Sequence, residues 1–239
     1  MRKAFSFLLQ NELFISGRVT ANNMTQQPSL STDQLRQHIK FLQFVHTSPG
    51  GGDELYCGSA CAIDRYVNLW LPLVAENPEA VLVPPLDIAW RWHCHRLSPL
   101  RYARYCYSRF GKRLETGKAA FSAQTQDPDT NNLIICGQDG TAAAGTQKMW
   151  EDSFQSETFF YQPTELVNDG NLANNKVCDA HDLNYDIAAC SSRQKSFLWQ
   201  ISGPNFNDET FLQQATKRYT QFLNLMKVHG LESHFFVPS

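Results

Sequence analysis

The chain has 239 residues, of which 42% are hydrophobic and 18% charged, and its formal net charge is −2 at pH 7. These proportions are ordinary for a soluble globular protein, and the length is ample for a buried core. The charge balance excludes a general attraction to nucleic acid or anionic membranes, and no run approaches the roughly 18 apolar residues of a membrane-spanning helix.

The first helix is predicted to begin at Ser31, after an N-terminal leader. Residues 1–30 are mostly polar, and their opening apolar run is too short for a signal peptide, so we expect them to be poorly ordered. Ser31 and Gln34 form a capping-box pattern, and apolar residues follow at helical spacing. The sequence Ser-Pro-Gly-Gly-Gly at 48–52 ends this helix.

Further helices are predicted along the chain, separated by one polar segment. A helix over about 53–75 contains Pro72, which would kink it or shorten its last turn. Residues 115–147 are rich in Gly, Ala, Thr, Gln, Asn and Asp, which predicts a low-complexity surface loop or insertion with a short strand or turn at 133–136. Helical patterns return at about 147–154, 182–193 and 207–229.

An internal similarity relates residues 64–85 to residues 217–239. Both stretches begin with Arg-Tyr, continue with an apolar stripe in phase, and end with Val-Pro. This similarity indicates a diverged repeat. We therefore predict an all-α fold over residues 31–239, built from a repeat of helix, extended Val-Pro segment and a helix rich in Trp and His, here called the W-H helix.

The W-H helix follows Pro84-Pro85 and contains His93 and His95, which raises the question of a metal or catalytic site. Asp87 is placed to cap its N-terminus. At about 100° per residue, His93 and His95 point to nearly opposite faces and cannot converge on one metal ion. Since both faces also carry apolar residues, the pattern favours a buried helix with two hydrogen-bonded histidines.

Other groups of reactive or charged residues are weaker signals. Cys57 and Cys61 have a spacing that suits two core residues as well as two ligands, and the cluster at 178–186 matches no standard metal site. We therefore predict no metal and no cofactor. The basic residues among the tyrosines of 84–113 form no single stripe, which favours a solvated face over a nucleic-acid surface. Seven scattered cysteines without a C-x-x-C pair predict reduced thiols and a cytoplasmic location.

The stretch from Val81 to Lys112 resembles the glycine-rich domain-containing protein-like family. The motif that carries the resemblance is V-x-x-P-P-x-D-x-x-W-x-W-x-C-H-x-L-x-P-x-x-Y-x-x-Y-C-x-x-R-F-G-K, and similarity extends over roughly residues 33–238. The resemblance implies no catalytic residues. It also implies a second W-H motif where this sequence ends in "FFVPS". The matching motif positions are Pro84, Pro85, Asp87, Trp90, Trp92, Cys94, His95, Pro99, Tyr102 and Cys106.

Two hypotheses for function follow from these patterns. The first is a non-catalytic protein-interaction or scaffold domain, because no convergent set of catalytic groups is recognisable. The alternative is an enzyme or a binder of a small ligand or metal, with a site around Asp87, His95 and Arg104 and His95 as general acid or base. For the first hypothesis we expect an apolar interface, used for self-association or for an unknown protein partner, on the C-terminal helix and the tail, at Phe222, Met226, Phe235 and Phe236.

Overall fold

The computed structural model describes residues 31–48, 60–160, 183 and 185–228, and the predicted leader and the tail beyond residue 228 lie outside them. The described part is mostly helical, which confirms the all-α prediction; the internal repeat stays a prediction. No helix in these ranges is long and apolar enough to cross a membrane. The α-helices are α1 (Thr32–Thr47), α2 (Ala60–Asp64), α3 (Leu71–Glu76), α4 (Leu86–Arg96), α5 (Pro99–Phe110), α6 (Gly140–Ser153), α7 (Ile187–Leu198) and α8 (Glu209–Val228).

Helix α1 begins as its capping box predicts. The Ser31 hydroxyl accepts a hydrogen bond from the backbone N–H of Gln34, and the Gln34 side chain accepts one from the backbone N–H of Ser31, both at 3.1 Å. These two bonds satisfy donors that the first turn would leave without partners. The buried side of α1 then packs into the core through Leu35, His38, Ile39, Phe41, Leu42 and Val45.

A π-helical segment, Arg65–Trp70, joins α2 to α3 without a break in the helical run. The backbone N–H of Leu71 bonds to the Tyr66 carbonyl five residues earlier. Pro72, which has no N–H to donate, follows this wider turn and does not end the helix. The π segment buries Arg65, Tyr66, Val67 and Trp70.

The polar segment 115–147 contains the short strand that the sequence predicted at 133–136, together with further regular structure. It forms an antiparallel hairpin of β1 (Ala123–Gln126) and β2 (Leu133–Cys136), followed by the first half of α6. The fully buried Gln124 side chain donates to the backbone carbonyls of Val83 and Ala143, and the Gln124 N–H donates to Pro84 at 3.0 Å. The sequence did not predict β1 or the start of α6 at Gly140, because the contact of Gln124 with the backbone of the extended Val-Pro segment cannot be read from composition.

Gly137 ends the hairpin in a conformation that favours glycine. Its φ is +95°, and a Cβ atom there would lie 2.4 Å from the Ser122 hydroxyl oxygen. Both the positive φ and the close approach therefore require a residue without a side chain.

Helix α4 lies at the centre of the core. All of its eleven residues are buried, as expected for a helix that is apolar on both faces. It packs against α2, the π segment, α5, β1 and α7. The polar side chains of the W-H helix must therefore find partners inside the protein.

Candidate functional site

Asp87 lies in the first turn of α4, where its carboxylate binds Arg65. The residue before the helix is Pro85, so the prediction of Asp87 as the N-cap was wrong. Arg65 Nε lies 3.0 Å from Asp87 Oδ2, and both side chains are 6% exposed. The Arg65 guanidinium also donates to the backbone carbonyls of Thr158 and Phe159, each at 2.6 Å. Burial raises the pKa of Asp87 more than the charge of Arg65 lowers it.

His95 occupies a buried pocket lined by tyrosine rings. Its Nδ1 lies 2.9 Å from the Tyr66 hydroxyl, and its ring stacks on Tyr185 and meets Tyr102 and Tyr105 edge-on. Burial lowers the pKa of His95 to about 3 and raises that of Tyr66 well above its usual value. Both groups are therefore neutral, and one hydrogen bond joins the Tyr66 hydroxyl to Nδ1 of His95.

His93 lies on the other side of α4, in an aromatic cluster. Its ring stacks on Trp90 at 5.6 Å between centroids and contacts His38 and Phe41. Burial, followed by the neighbouring His38 and Arg96, lowers the pKa of His93 well below its usual value. The two histidines therefore occupy separate environments, which is what their spacing on the helix predicts.

The C-terminal half of α4 is tied to the chain that follows α5. Trp92 Nε1 donates to the Tyr102 hydroxyl, which in turn donates to the Leu114 carbonyl, both at 2.9 Å. Arg96 lies over the Trp92 ring and donates to the Ala120 carbonyl at 3.0 Å. These contacts hold Trp92 and Tyr102, two aromatic residues of the family motif, in fixed positions.

The remaining motif positions also take part in packing or backbone contacts. Trp90, Cys94 and Cys106 have no exposed surface. Pro84 and Pro85 are buried, and their carbonyls accept hydrogen bonds from Gln124 and Ala89. Pro99 is the first residue of α5 and follows Ser98, a position that suits its fixed φ.

The structure does not bring Asp87, His95 and Arg104 together. Asp87 and His95 are eight residues apart on one helix, which separates their backbones by about 12 Å along the axis. Arg104 lies on the exposed side of α5, whereas His95 is fully buried. A small cleft of about 20 Å³ lies beside Arg96 and is lined by none of these three residues.

The part of the chain that the structure describes holds no cluster of three or more His, Cys, Asp or Glu side chains that could bind a metal ion. Cys57 and the 178–182 part of the predicted 178–186 cluster lie outside that part. On α8, Phe222 is 37% exposed and Leu225 57% exposed. The Met226 side chain, Phe235 and Phe236 also lie outside the described residues.

Three polar residues in α4 or against it were not identified from the sequence. They are Arg65, which binds Asp87, and the pair Arg91 and Ser191, whose side chains are hydrogen-bonded at 2.6 Å. Arg65 stands in the Arg-Tyr pair that opens the similarity at 64–85, and Arg91 follows Asp87 by one helical turn. Both are signals of buried charge, but neither shows where the partner lies.

Comparison with known proteins places these observations in a family. A family model described as glycine-rich domain-containing protein-like matches residues 101–239, which is more than half of the chain. The chain belongs to this family. No solved structure matches it.

Two curated relatives of this glycine-rich domain-containing protein-like chain come from Arabidopsis thaliana. Glycine-rich domain-containing protein 1 is 32% identical over 231 residues, which cover 90% of this chain and 25% of the relative. Glycine-rich domain-containing protein 2 is 30% identical over 217 residues, which cover 86% of this chain and 25% of the relative. The chain thus spans about a quarter of the length of these relatives.

Proposed function

We propose that this chain is a non-catalytic protein-interaction or scaffold domain and that α8 carries an interaction surface. The observation that supports this most directly is the exposure of two large apolar side chains, Phe222 and Leu225, on the same helix. Their spacing of three residues places them side by side. Leu212, Ala215 and Tyr219 of the same helix are buried, and Phe222 continues their stripe and stacks on Tyr219. The exposed pair is therefore the part of α8 where this apolar stripe reaches the surface of the described residues.

The chemistry of α4 supports the same proposal. Asp87 holds an internal ion pair, His95 binds Tyr66, and Trp92 binds Tyr102. A general acid or base must reach its substrate and titrate near the working pH. A buried His95 with a pKa of about 3 meets neither condition. These side chains are therefore better suited to fixing the fold than to catalysis.

We further propose that the α8 surface, extended by Met226, Phe235 and Phe236, mediates self-association. Since the described cysteines are free thiols, the proposal places the protein in the cytoplasm. If this apolar surface holds the copies together, charged side chains introduced there should abolish the self-association, because burying an unpaired charge is costly.

Sedimentation velocity over a range of concentrations tests this proposal. The wild type is expected to self-associate, and the double variant Phe222→Glu, Leu225→Glu to remain monomeric with an unchanged far-UV circular dichroism spectrum. Gln214→Glu introduces a similar charge at another exposed position of α8 and should associate like the wild type. A wild type that stays monomeric at high concentration, or a double variant that still associates, would contradict the proposed surface.

A further inference from the structure

Two cysteines meet where α4 packs against α7, and nothing in the proposed function uses them. Cys94 is fully buried and Cys190 is 3% exposed. The Cys190 Sγ lies 3.6 Å from the backbone oxygen of Cys94, and the Ser191 hydroxyl lies 3.6 Å from the Cys94 Sγ. The Cys190 sulfur thus faces the backbone of α4 and the Cys94 sulfur faces a side chain of α7, so the two thiols lie at the same helix crossing.

The two thiols differ in the direction of their pKa shifts because their surroundings differ. A hydrogen bond from the Cys94 thiol lowers the pKa of Cys190, and Tyr185 and Arg193 act in the same direction against the effect of burial. Burial raises the pKa of Cys94 well above its usual value. Cys190 is therefore the group that forms a thiolate, and Cys94 is the group that keeps its proton. This asymmetry matches the roles of attacking and resolving thiol.

We propose that Cys94 and Cys190 form a redox-active dithiol that a hydroperoxide oxidises to a disulfide between α4 and α7. With hydrogen peroxide, the Cys190 sulfur first attacks one peroxide oxygen, the O–O bond breaks, and the leaving oxygen takes the proton that Cys190 has released to form water. In the second step the Cys94 sulfur attacks the sulfenic acid of Cys190, and the S–S bond forms as the S–O bond breaks. The departing hydroxide takes the Cys94 proton as a second water. The two thiols together lose two electrons and two protons.

The position of Cys190 explains how an oxidant reaches it. Cys190 lies in the first turn of α7, where its N–H bonds to the Asp186 carbonyl at 3.1 Å. First turns open more readily than helix interiors, so local opening exposes Cys190 without unfolding the protein. The segment on the α7 side of the crossing consists of small residues, Ala188, Ala189, Cys190 and Ser191, which allows the two helices to approach closely.

Treatment of the purified full chain with hydrogen peroxide tests the proposal. Non-reducing peptide mapping by mass spectrometry should show a peptide that contains Cys94 joined to one that contains Cys190, with the mass of two hydrogen atoms lost. Dithiothreitol should reverse the link. Because the bond closes a loop of nearly one hundred residues in the native geometry, the unfolding midpoint of the oxidised monomer should rise by roughly 10 °C.

Variants provide the matched controls. Cys190→Ser should abolish the link, and Cys94→Ser should leave Cys190 as an unresolved sulfenic acid that dimedone traps. Cys136→Ser, at a half-buried cysteine of β2, should form the link as the wild type does. Mapping of the wild type alone decides the matter even where a variant fails to fold. A Cys190 disulfide to any other cysteine, peroxide-treated chains without an intramolecular link, or a link that lowers the unfolding midpoint would overturn the proposal.

Discussion

Acidification should destabilise this protein through His95, and the amount can be calculated. An unfolded histidine has a pKa of about 6.5, whereas burial lowers the pKa of His95 in the fold to about 3. Below pH 6.5 His95 binds a proton in the unfolded chain but stays unprotonated in the folded protein. The contribution of His95 to the free energy of unfolding is therefore fully present above pH 6.5. It falls by about 1.4 kcal/mol per pH unit as the pH drops toward 3.

Between pH 7 and pH 5 the difference in pKa between folded and unfolded His95 lowers the free energy of unfolding by about 2 kcal/mol. His93 lies on the opposite side of α4, and its lowered pKa adds a loss in the same direction. The groups that face His95 are the hydroxyls and rings of Tyr66, Tyr102, Tyr105 and Tyr185, which are neutral in this range.

Urea unfolding at pH 7 and pH 5 measures the effect in wild type and in His95→Gln, whose neutral amide does not titrate between these pH values. The variant is expected to be less stable at pH 7 but to lose about 2 kcal/mol less than the wild type on acidification. His46→Gln, at an exposed position of α1, serves as the control and should behave like the wild type. Equal losses in wild type and His95→Gln would refute the argument that His95 is neutral and desolvated.

Two further predictions concern the stability of the fold, each measured by urea unfolding at pH 7. Asp87→Asn should lower the free energy of unfolding by about 3–5 kcal/mol, because Arg65 would remain as a buried charge without a compensating anion. Asp152→Asn, at an exposed ion pair, should change this free energy little. Similar losses in the two variants would contradict the buried ion pair. Gly137→Ala should cost about 1–3 kcal/mol through its positive φ and the clash described above, while Gly145→Ala inside α6 should stabilise by about 0.5–1 kcal/mol. A neutral Gly137→Ala would rule out the left-handed conformation.

Local signals in the sequence predicted several elements because their causes are local. The capping box at Ser31, the proline after Ser98 and the apolar spacing of α1 and α8 depend only on neighbours within one or two turns. The opposite orientation of His93 and His95 likewise follows from helix geometry alone. These features required no knowledge of the partner elements.

Features that depend on distant partners were missed or misassigned. The hairpin of β1 and β2 forms where Gln124 meets the Val-Pro segment, about forty residues earlier in the chain. Asp87 looked like a helix cap because its local position suits one, but Arg65 binds it from the π segment. The π-helical turn itself has no recognised sequence signature. In each case a long-range contact overrode the local preference.

The polar residues of α4 show why a buried helix carries so much polar chemistry. Asp87 binds the π segment, Arg91 binds α7, His95 binds the π segment again, and Arg96 binds the chain after α5. Apolar side chains alone would bury α4 equally well in several rotations about its axis, because dispersion and hydrophobic forces have no direction. A rotation that breaks these bonds leaves buried charges without partners, and that penalty is several kcal/mol. We infer that the Trp-, His- and Arg-rich motif selects one orientation of the central helix, and that this role explains its composition without a catalytic function.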